Sequence, residues 1–586
     1  MVQTTFFRIR RGPHRLASLL LHCGIITALL LGIASAQDRR GASAPLGAPM
    51  AVVGTRGMVV AQERLAAEVG RDVLAKGGNA VDAAVATGFA MAVTYPRAGN
   101  IGGGGFMLIH RAGGDDVAID YRETAPAAAT RDMFLGADGK PDNAKSRDSA
   151  LGIGVPGTVA GLTLALEKYG SGKFSLAELL QPAIALARDG FVVSDDLADT
   201  LPDWHRRLTR WPSTARVLAR PDGGPYREGD RLVQADLAVT LEAIAAQGAC
   251  GFYDGPVADR LARAVQDAGG LITTEDLRSY QALIRTPLRG SYRGYDIVAM
   301  PLPSSAGPVL IESLNILEGL PLRDAPQGSA QSLHWLIEAM KRGYADRARY
   351  LGDPAFVDAP LSRLLDKDFA AKQRASIHAD RATPATEMLP PPREGDNTTH
   401  FSVVDAQGNA VSNTTTLNFS YGVGLIAEGT GVLLNNELDD FTAAPGAANA
   451  FGLVGFEANL PGPGKRPLSS MAPTIVLKDG KVLLVTGSPG GSRIISAVLQ
   501  VMVNVLDYQM DVAAAVAAPR VHHQWQPDEV RVERGFDPAV VGALQSKGHQ
   551  IVTPLGQTSA NSILMTAQGP RGAPDPRTRG AAAAAE

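Results

Sequence analysis

An α+β fold is the class this sequence predicts, and three observations predict it. Residues 60–95 place apolar side chains at helical spacing, a mostly helical stretch runs from about 155 to 285, and past 398 the chain turns to short strand-like runs. The 586 residues are 45% hydrophobic and 20% charged, an ordinary globular composition, and length alone suggests about four domains. The 64 glycines and 38 prolines imply many tight turns without a fibrous period.

Taken in order, the first 36 residues stand apart. "RIRRGPHR" is basic, "LASLLLHCGIITALLLGI" (16–33) is apolar, and "ASA" (34–36) has the small-x-small pattern of a signal-peptidase site. Residues 1–36 are therefore expected to be a signal peptide cleaved after Ala36, placing the protein outside the cytoplasm, in the periplasm or secreted. The alternative is an uncleaved anchor, for which 18 apolar residues sit at the lower limit. Losing Arg8, Arg10, Arg11 and Arg15 takes the formal charge from −3 to −7. A mildly acidic chain with no basic run argues against nucleic acid as a partner. Cleavage would also remove Cys23 and leave Cys250 alone, so no internal disulfide is expected. No CxxC or HExxH pattern occurs, and in a strand the adjacent His522 and His523 would point to opposite faces, so no structural metal is expected, and the chemistry read below needs no cofactor.

"VAQERLAAEVGRDVLAK" reads as a helix stopped by Gly77-Gly78, and Asn79 can cap a second, "AVDAAVATGFAMAVTYP", which Pro96 ends. That second helix is apolar nearly all round and should be buried. "GNIGGGGFMLIH" enters a strand. It lacks the Gly-Lys-Ser/Thr of a phosphate loop, so its glycines are expected to let backbones pack closely. A strand at 117–126 follows. "PSSAGPVLIESLNILEG" begins a helix with Ser304 or Ser305 as cap and Pro308 in its first turn. Residues 383–397 read as a linker, four short strands follow ("HFSVVD", "AVSNTTTLN", "PTIVLKDG", "KVLLVTGS"), and residues 570–586 read as a frayed tail.

Chemistry concentrates where the linker meets the first of those strands. "VVDAQGNAV" reads as a hairpin with a loop at 405–409, a register that sets Thr398 opposite Thr416, with Cβ atoms roughly 5 Å apart. The bland reading is strand propensity, since threonine is β-branched. The chemical reading needs the bond between Asn397 and Thr398 to break. Thr398 would then carry an α-amine of pKa about 7.7–8.0, a base held beside its own hydroxyl. Thr416 could fix the rotamer of that hydroxyl. His400, on the same strand face, is a rival base, although its spacing fits a hydrogen-bonded structural histidine, the preferred reading.

"TTHFSVVD", "LLNNELDDF" (433–441), "RPLSSMAPTIV" (466–476) and "TGSPGGSR" (486–493) resemble the γ-glutamyltranspeptidase family, as do "GGNAVDAAVA", "GNIGGGGFMLI", "IDYRETAP" and "PGTVAGL". The resemblance runs from about 55 to about 577. It implies a four-layer αββα N-terminal-nucleophile hydrolase fold, with two stacked sheets shared by a large subunit (37–397) and a small subunit (398–586) cut from one precursor and held as a heterodimer. It also implies roles. Thr398 would be the self-cleavage and catalytic nucleophile, with Thr416 orienting it. Arg122, assisted by Ser469 and Ser470, would bind the substrate α-carboxylate. Asp440, Asn418 and Glu437 would hold the α-ammonium. Gly490 and Gly491 would offer N–H groups to the oxyanion. Substrates would be glutathione and other γ-glutamyl compounds, with water, an amino acid or a dipeptide as acceptor. Phe451 stands where bacterial members often have a lid tyrosine, and Pro574 replaces a serine in "GAPDPR". Two rivals remain: an acylase of the same fold acting on glutaryl-type cephalosporin side chains, and an exported amino-acid-binding protein without turnover.

Overall fold

A computed structural model describes residues 50–385, 398–449, 452–556 and 558–586. The leader, the cleavage-side residue Asn397 and Phe451 lie outside the described residues. Two seven-stranded antiparallel sheets form the centre. The strands are β1 (Val52–Val53), β2 (Met58–Ala61), β3 (Gly104–His110), β4 (Val117–Tyr121), β5 (Leu283–Arg285), β6 (Leu288–Tyr292) and β7 (Tyr295–Ala299). After the linker come β8 (Thr398–Val404), β9 (Ala410–Thr416), β10 (Thr474–Lys478), β11 (Lys481–Thr486), β12 (Ser562–Thr566), β13 (Gly569–Ala573) and β14 (Ala582–Ala585). The first sheet runs β14-β2-β8-β9-β3-β4-β5 and the second β1-β13-β12-β11-β10-β7-β6.

Strand alternation builds the four layers. Val59, Met107, Ile109, Phe401, Val403 and Val411 face a helical layer that includes α1 (Arg64–Ala75) and α2 (Ala80–Thr94). Their alternates Met58, Val60, Phe106 and Leu108 share a core with Ile475 and Leu484 of the second sheet. That core also takes in α3 (Ala306–Glu318), α4 (Ala330–Tyr350) and α5 (Arg493–Leu506). The architecture is the expected αββα stack. The hairpin β8–β9 is inserted between β2 and β3, so both sheets draw strands from both sides of the linker. Sharing strands in this way merges the described residues into one compact unit, against the four domains that length suggests.

Local signals hold in detail. Asn79 caps α2 in a capping box with Asp82, and all of α2 is buried. The first helix is shorter than its periodicity implied. Val60 and Ala61 belong to β2, and Glu63 caps α1 by accepting from the N–H groups of Leu65 and Ala66. The glycine run packs backbone on backbone: a Cβ at Gly103 would lie 2.1 Å from the Thr416 carbonyl oxygen, and one at Gly105 2.4 Å from that of Thr414. Those glycines therefore seat the strand that carries Thr416.

The tail is a correction. Ala582–Ala585 pairs with β2 as an edge strand, and the Glu586 carbonyl accepts from Thr55 and Arg56 N–H. Just before it, Asp575 is buried against Arg520 at 2.7 Å. Alanine has low strand propensity, but pairing with a buried strand decides the conformation here.

Candidate active site

The hairpin register is the expected one, with Thr398 opposite Thr416 and Val404 opposite Ala410. Its loop is pinned from inside: the Asp405 carboxylate accepts from the N–H groups of Gln407 and Asn409, and also from Ala80 N–H at the start of α2. At the other end the Thr398 and Thr416 hydroxyl oxygens are 3.2 Å apart. Asn418 N–H donates to Thr416 Oγ1 at 2.8 Å, occupying one of its lone pairs. That contact requires Asn418 at φ 71, a left-handed turn that asparagine tolerates.

Thr398, Thr416, Asn418 and Gly491 line one small pocket. Arg122, Glu437, Asp440, Ser469 and Ser470 line it as well. Residues from six separate segments thus line one pocket. Met471 and Ile494, which the sequence did not single out, supply apolar wall. Gly490 and Gly491 have φ 131 and 56 and precede the N-terminus of α5, where backbone N–H groups and the helix dipole favour negative charge.

Arg122 is completely buried, so it is not a surface cation. Its Nη1 donates to Glu437, its Nη2 to Asp440 Oδ2 at 2.6 Å and its Nε to the Pro467 carbonyl at 3.1 Å. The cation and the carboxylates expected to read opposite ends of a substrate are therefore bonded to each other. Burial alone would discharge Arg122, but Glu437, Asp440 and Glu123 outweigh it and hold its pKa above the usual value. Burial pushes the carboxyls the other way: Glu437 well up, Asp440 up and Glu123 up to about 7. Three acids around one guanidinium cannot all ionise cheaply.

Burial takes His400 down to about 3, and its ring nitrogens contact Thr414 Oγ1 at 2.9 Å and Ser402 Oγ at 3.0 Å. That is a neutral, hydrogen-bonded histidine, and a poor base at pH 7. The serines at the start of α3 also have a purpose beyond capping. Ser304 Oγ accepts from Ala306 N–H, while Ser305 Oγ donates to the Ser469 carbonyl at 2.6 Å. Two charged residues beside the pocket also escaped the sequence reading. Glu123 adjoins Arg122, and adjacency was its only available signal. Arg347 sits in the charged run "KRGYADRARY", which resembles a solvated face, yet α4 is buried nearly all round. Among the described residues, His334, Glu338 and His549 have ligand-type atoms within 4.8 Å of one another. Glu338 is already bonded to Arg342 at 2.7 Å, and the two imidazoles to each other at 2.8 Å.

The γ-glutamyltranspeptidase family model matches residues 66–585. A glutathione hydrolase proenzyme of Escherichia coli (strain K12) is 51% identical over 527 residues, covering 89% of this chain and 90% of that protein. The crystal structure of a cephalosporin acylase from Bacillus halodurans superposes with TM-score 0.82 at 27% identity, over 93% of this chain and 98% of that one. Helicobacter pylori γ-glutamyltranspeptidase gives 0.54 at 46% identity, over 56% of this chain and 93% of that chain. With a threonine pair at a hairpin mouth, an αββα frame and a match across most of its length, the chain belongs to the γ-glutamyltranspeptidase family.

Proposed function

We propose that the chain is a self-cleaving γ-glutamyltransferase and glutathione hydrolase whose nucleophile is Thr398. The observation that carries this reading is the Thr398–Thr416 hydroxyl contact of 3.2 Å at a cavity walled by Arg122, Glu437 and Asp440. In the precursor, Thr398 Oγ attacks the carbonyl of Asn397. The resulting ester is hydrolysed, which leaves Thr398 with a free α-amine. Insertion of β8 and β9 between β2 and β3 supports retention of the two products as a heterodimer. The basic–apolar–small pattern of residues 1–36 supports export, most simply to the periplasm.

In turnover, Thr398 Oγ attacks the γ-amide carbonyl carbon while the α-amine takes the hydroxyl proton. The N–H groups of Gly490 and Gly491 receive the tetrahedral oxyanion. Collapse breaks the C–N bond, and the leaving amine (cysteinylglycine from glutathione) departs with the proton. Water, an amino acid or a dipeptide then takes the γ-glutamyl group and returns Oγ to the hydroxyl.

The internal ion pairs support a γ-glutamyl over a glutaryl head group. A zwitterion entering between Arg122 and Glu437/Asp440 replaces each ion pair with an equivalent one: α-carboxylate to Arg122, α-ammonium to the acids. A glutaryl group supplies only the carboxylate and leaves buried acids without their cation. Losing such a partner costs about 3–5 kcal/mol. The test is N-terminal sequencing and intact mass of the purified protein beside a Thr398→Ala variant. A fragment starting Thr-Thr-His in wild type and an intact chain in the variant are expected. A variant still split before Thr398 would assign the nucleophile elsewhere.

A further inference from the structure

The active-site half supplied from upstream of the linker contains a second buried arginine that the reaction scheme leaves without a task. Arg347 projects from α4 and is 5% exposed. Its Nε donates to Ser305 Oγ at 2.9 Å and its Nη2 to Ser470 Oγ at 3.3 Å. Ser305 is itself tied to the proposed carboxylate site, since its N–H and its hydroxyl both donate to the Ser469 carbonyl, at 2.8 and 2.6 Å. Ser469 N–H returns a bond to the Pro303 carbonyl at 2.8 Å, and Ser304 Oγ donates to the Met471 carbonyl at 2.7 Å. The 303–305 turn and the 469–471 segment are thus clamped together, with one guanidinium beneath both.

We propose that Arg347 is a positioning residue for the substrate α-carboxylate, acting through Ser470 and the Ser305–Ser469 clamp. The chemistry is a charge-assisted relay. A Ser470 oxygen that accepts from a cation has its own proton left to donate, and polarisation by the guanidinium strengthens that donation to an anion. Electrostatics point the same way. Burial, with a smaller push from Arg122, draws the Arg347 pKa down to about 10 against the opposing influence of Tyr344 and Asp440. Arg347 therefore stays charged at neutral pH with two serine hydroxyls as its hydrogen-bond partners, and an incoming carboxylate adds to the compensation that Asp440 gives it. This inference rests on the reading that Arg122, Ser469 and Ser470 face the α-carboxylate.

The experiment measures dissociation constants by calorimetry for L-glutamate, glutarate and 4-aminobutyrate on processed wild type, Arg347→Met, Arg347→Lys and Arg122→Met. The first two ligands carry the carboxylate corresponding to the α-carboxylate; 4-aminobutyrate has only the ammonium at that end. Self-cleavage of each variant reports that the Thr398 site has assembled. Arg347→Met should weaken L-glutamate and glutarate tenfold or more and 4-aminobutyrate less than threefold. With γ-glutamyl p-nitroanilide the loss should fall mainly on KM. Arg347→Lys, which keeps the charge, should show the same selectivity at smaller size and serves if the methionine variant does not assemble. Equal weakening of all three ligands, or none, overturns the proposal and leaves Arg347 a structural staple. If Arg122→Met is selective and Arg347→Met is not, only this inference falls. If neither is selective, the carboxylate-site reading itself is wrong.

Discussion

Replacing Thr416 by valine removes one hydroxyl and keeps the side-chain shape, so its effects trace to that hydroxyl's hydrogen bonds, and two of them bear on the chemistry. One is the 3.2 Å contact to Thr398 Oγ1 and the other the 2.8 Å bond accepted from Asn418 N–H. During breakdown of the acyl-enzyme, Thr398 Oγ is the leaving group and gains negative charge, so a Thr416 donor is worth more there than in the resting state. Hydrogen bonds to charged groups contribute about 1.5–3 kcal/mol, which corresponds to a fall of about 10- to 150-fold in rate. The second loss strands a buried N–H at a cost of about 1–3 kcal/mol, which falls on stability and on the placement of Asn418. Thr416→Val should therefore cleave itself slowly, as followed by denaturing gel after synthesis. Once processed, it should show a reduced deacylation rate, read from the steady-state phase that follows the burst of p-nitroaniline from γ-glutamyl p-nitroanilide. Thr416→Ser, which restores the hydroxyl, should recover most of both. If the valine variant processes and turns over within threefold of wild type, the hydroxyl pair has no part in activating Thr398.

Three further outcomes follow from the same geometry. Asp440→Ala should raise KM for γ-glutamyl p-nitroanilide by 100-fold or more while sparing the glutaryl anilide, so that the ratio of the two kcat/KM values moves toward glutaryl; an unchanged ratio would remove Asp440 from the ammonium site. Gly490→Ala places a Cβ at φ 131, where L-residues are strained, and should cost roughly 10²–10³ in kcat with KM little changed if that N–H serves the oxyanion. His400 is held neutral at about 3 in the fold and has an ordinary value near 6.5 when unfolded. The unfolded chain therefore binds the extra proton, and the histidine's contribution, complete above about pH 6.5, is lost as pH falls toward 3. Glu437, whose pKa burial raises, acts with the opposite sign, so the informative quantity is a difference. Between pH 6 and 5, urea stability of His400→Gln should fall less steeply than wild type by about 1.4 kcal/mol per pH unit. Parallel slopes would mean that His400 is not buried neutral.

By itself the sequence determined the features whose physics is local. Loop length and alternation set the 398–416 register, because a shift of one residue would turn a buried face outward. Asn79 before an apolar run specified a helix start, and a glycine run entering a strand announced close backbone contact. Tertiary structure alone decided what depends on distant partners. Arg122 meets Glu437 and Asp440 across 315 and 318 positions, and no periodicity encodes that the three would be bonded to one another. Arg347 looks like a solvated charge until α4 is packed on both sides, and Ala582–Ala585 looks frayed until β2 offers it a free edge. Short-range propensities amount to tenths of a kcal/mol per residue, whereas pairing and burial are worth several, so wherever the two disagree the tertiary contact prevails.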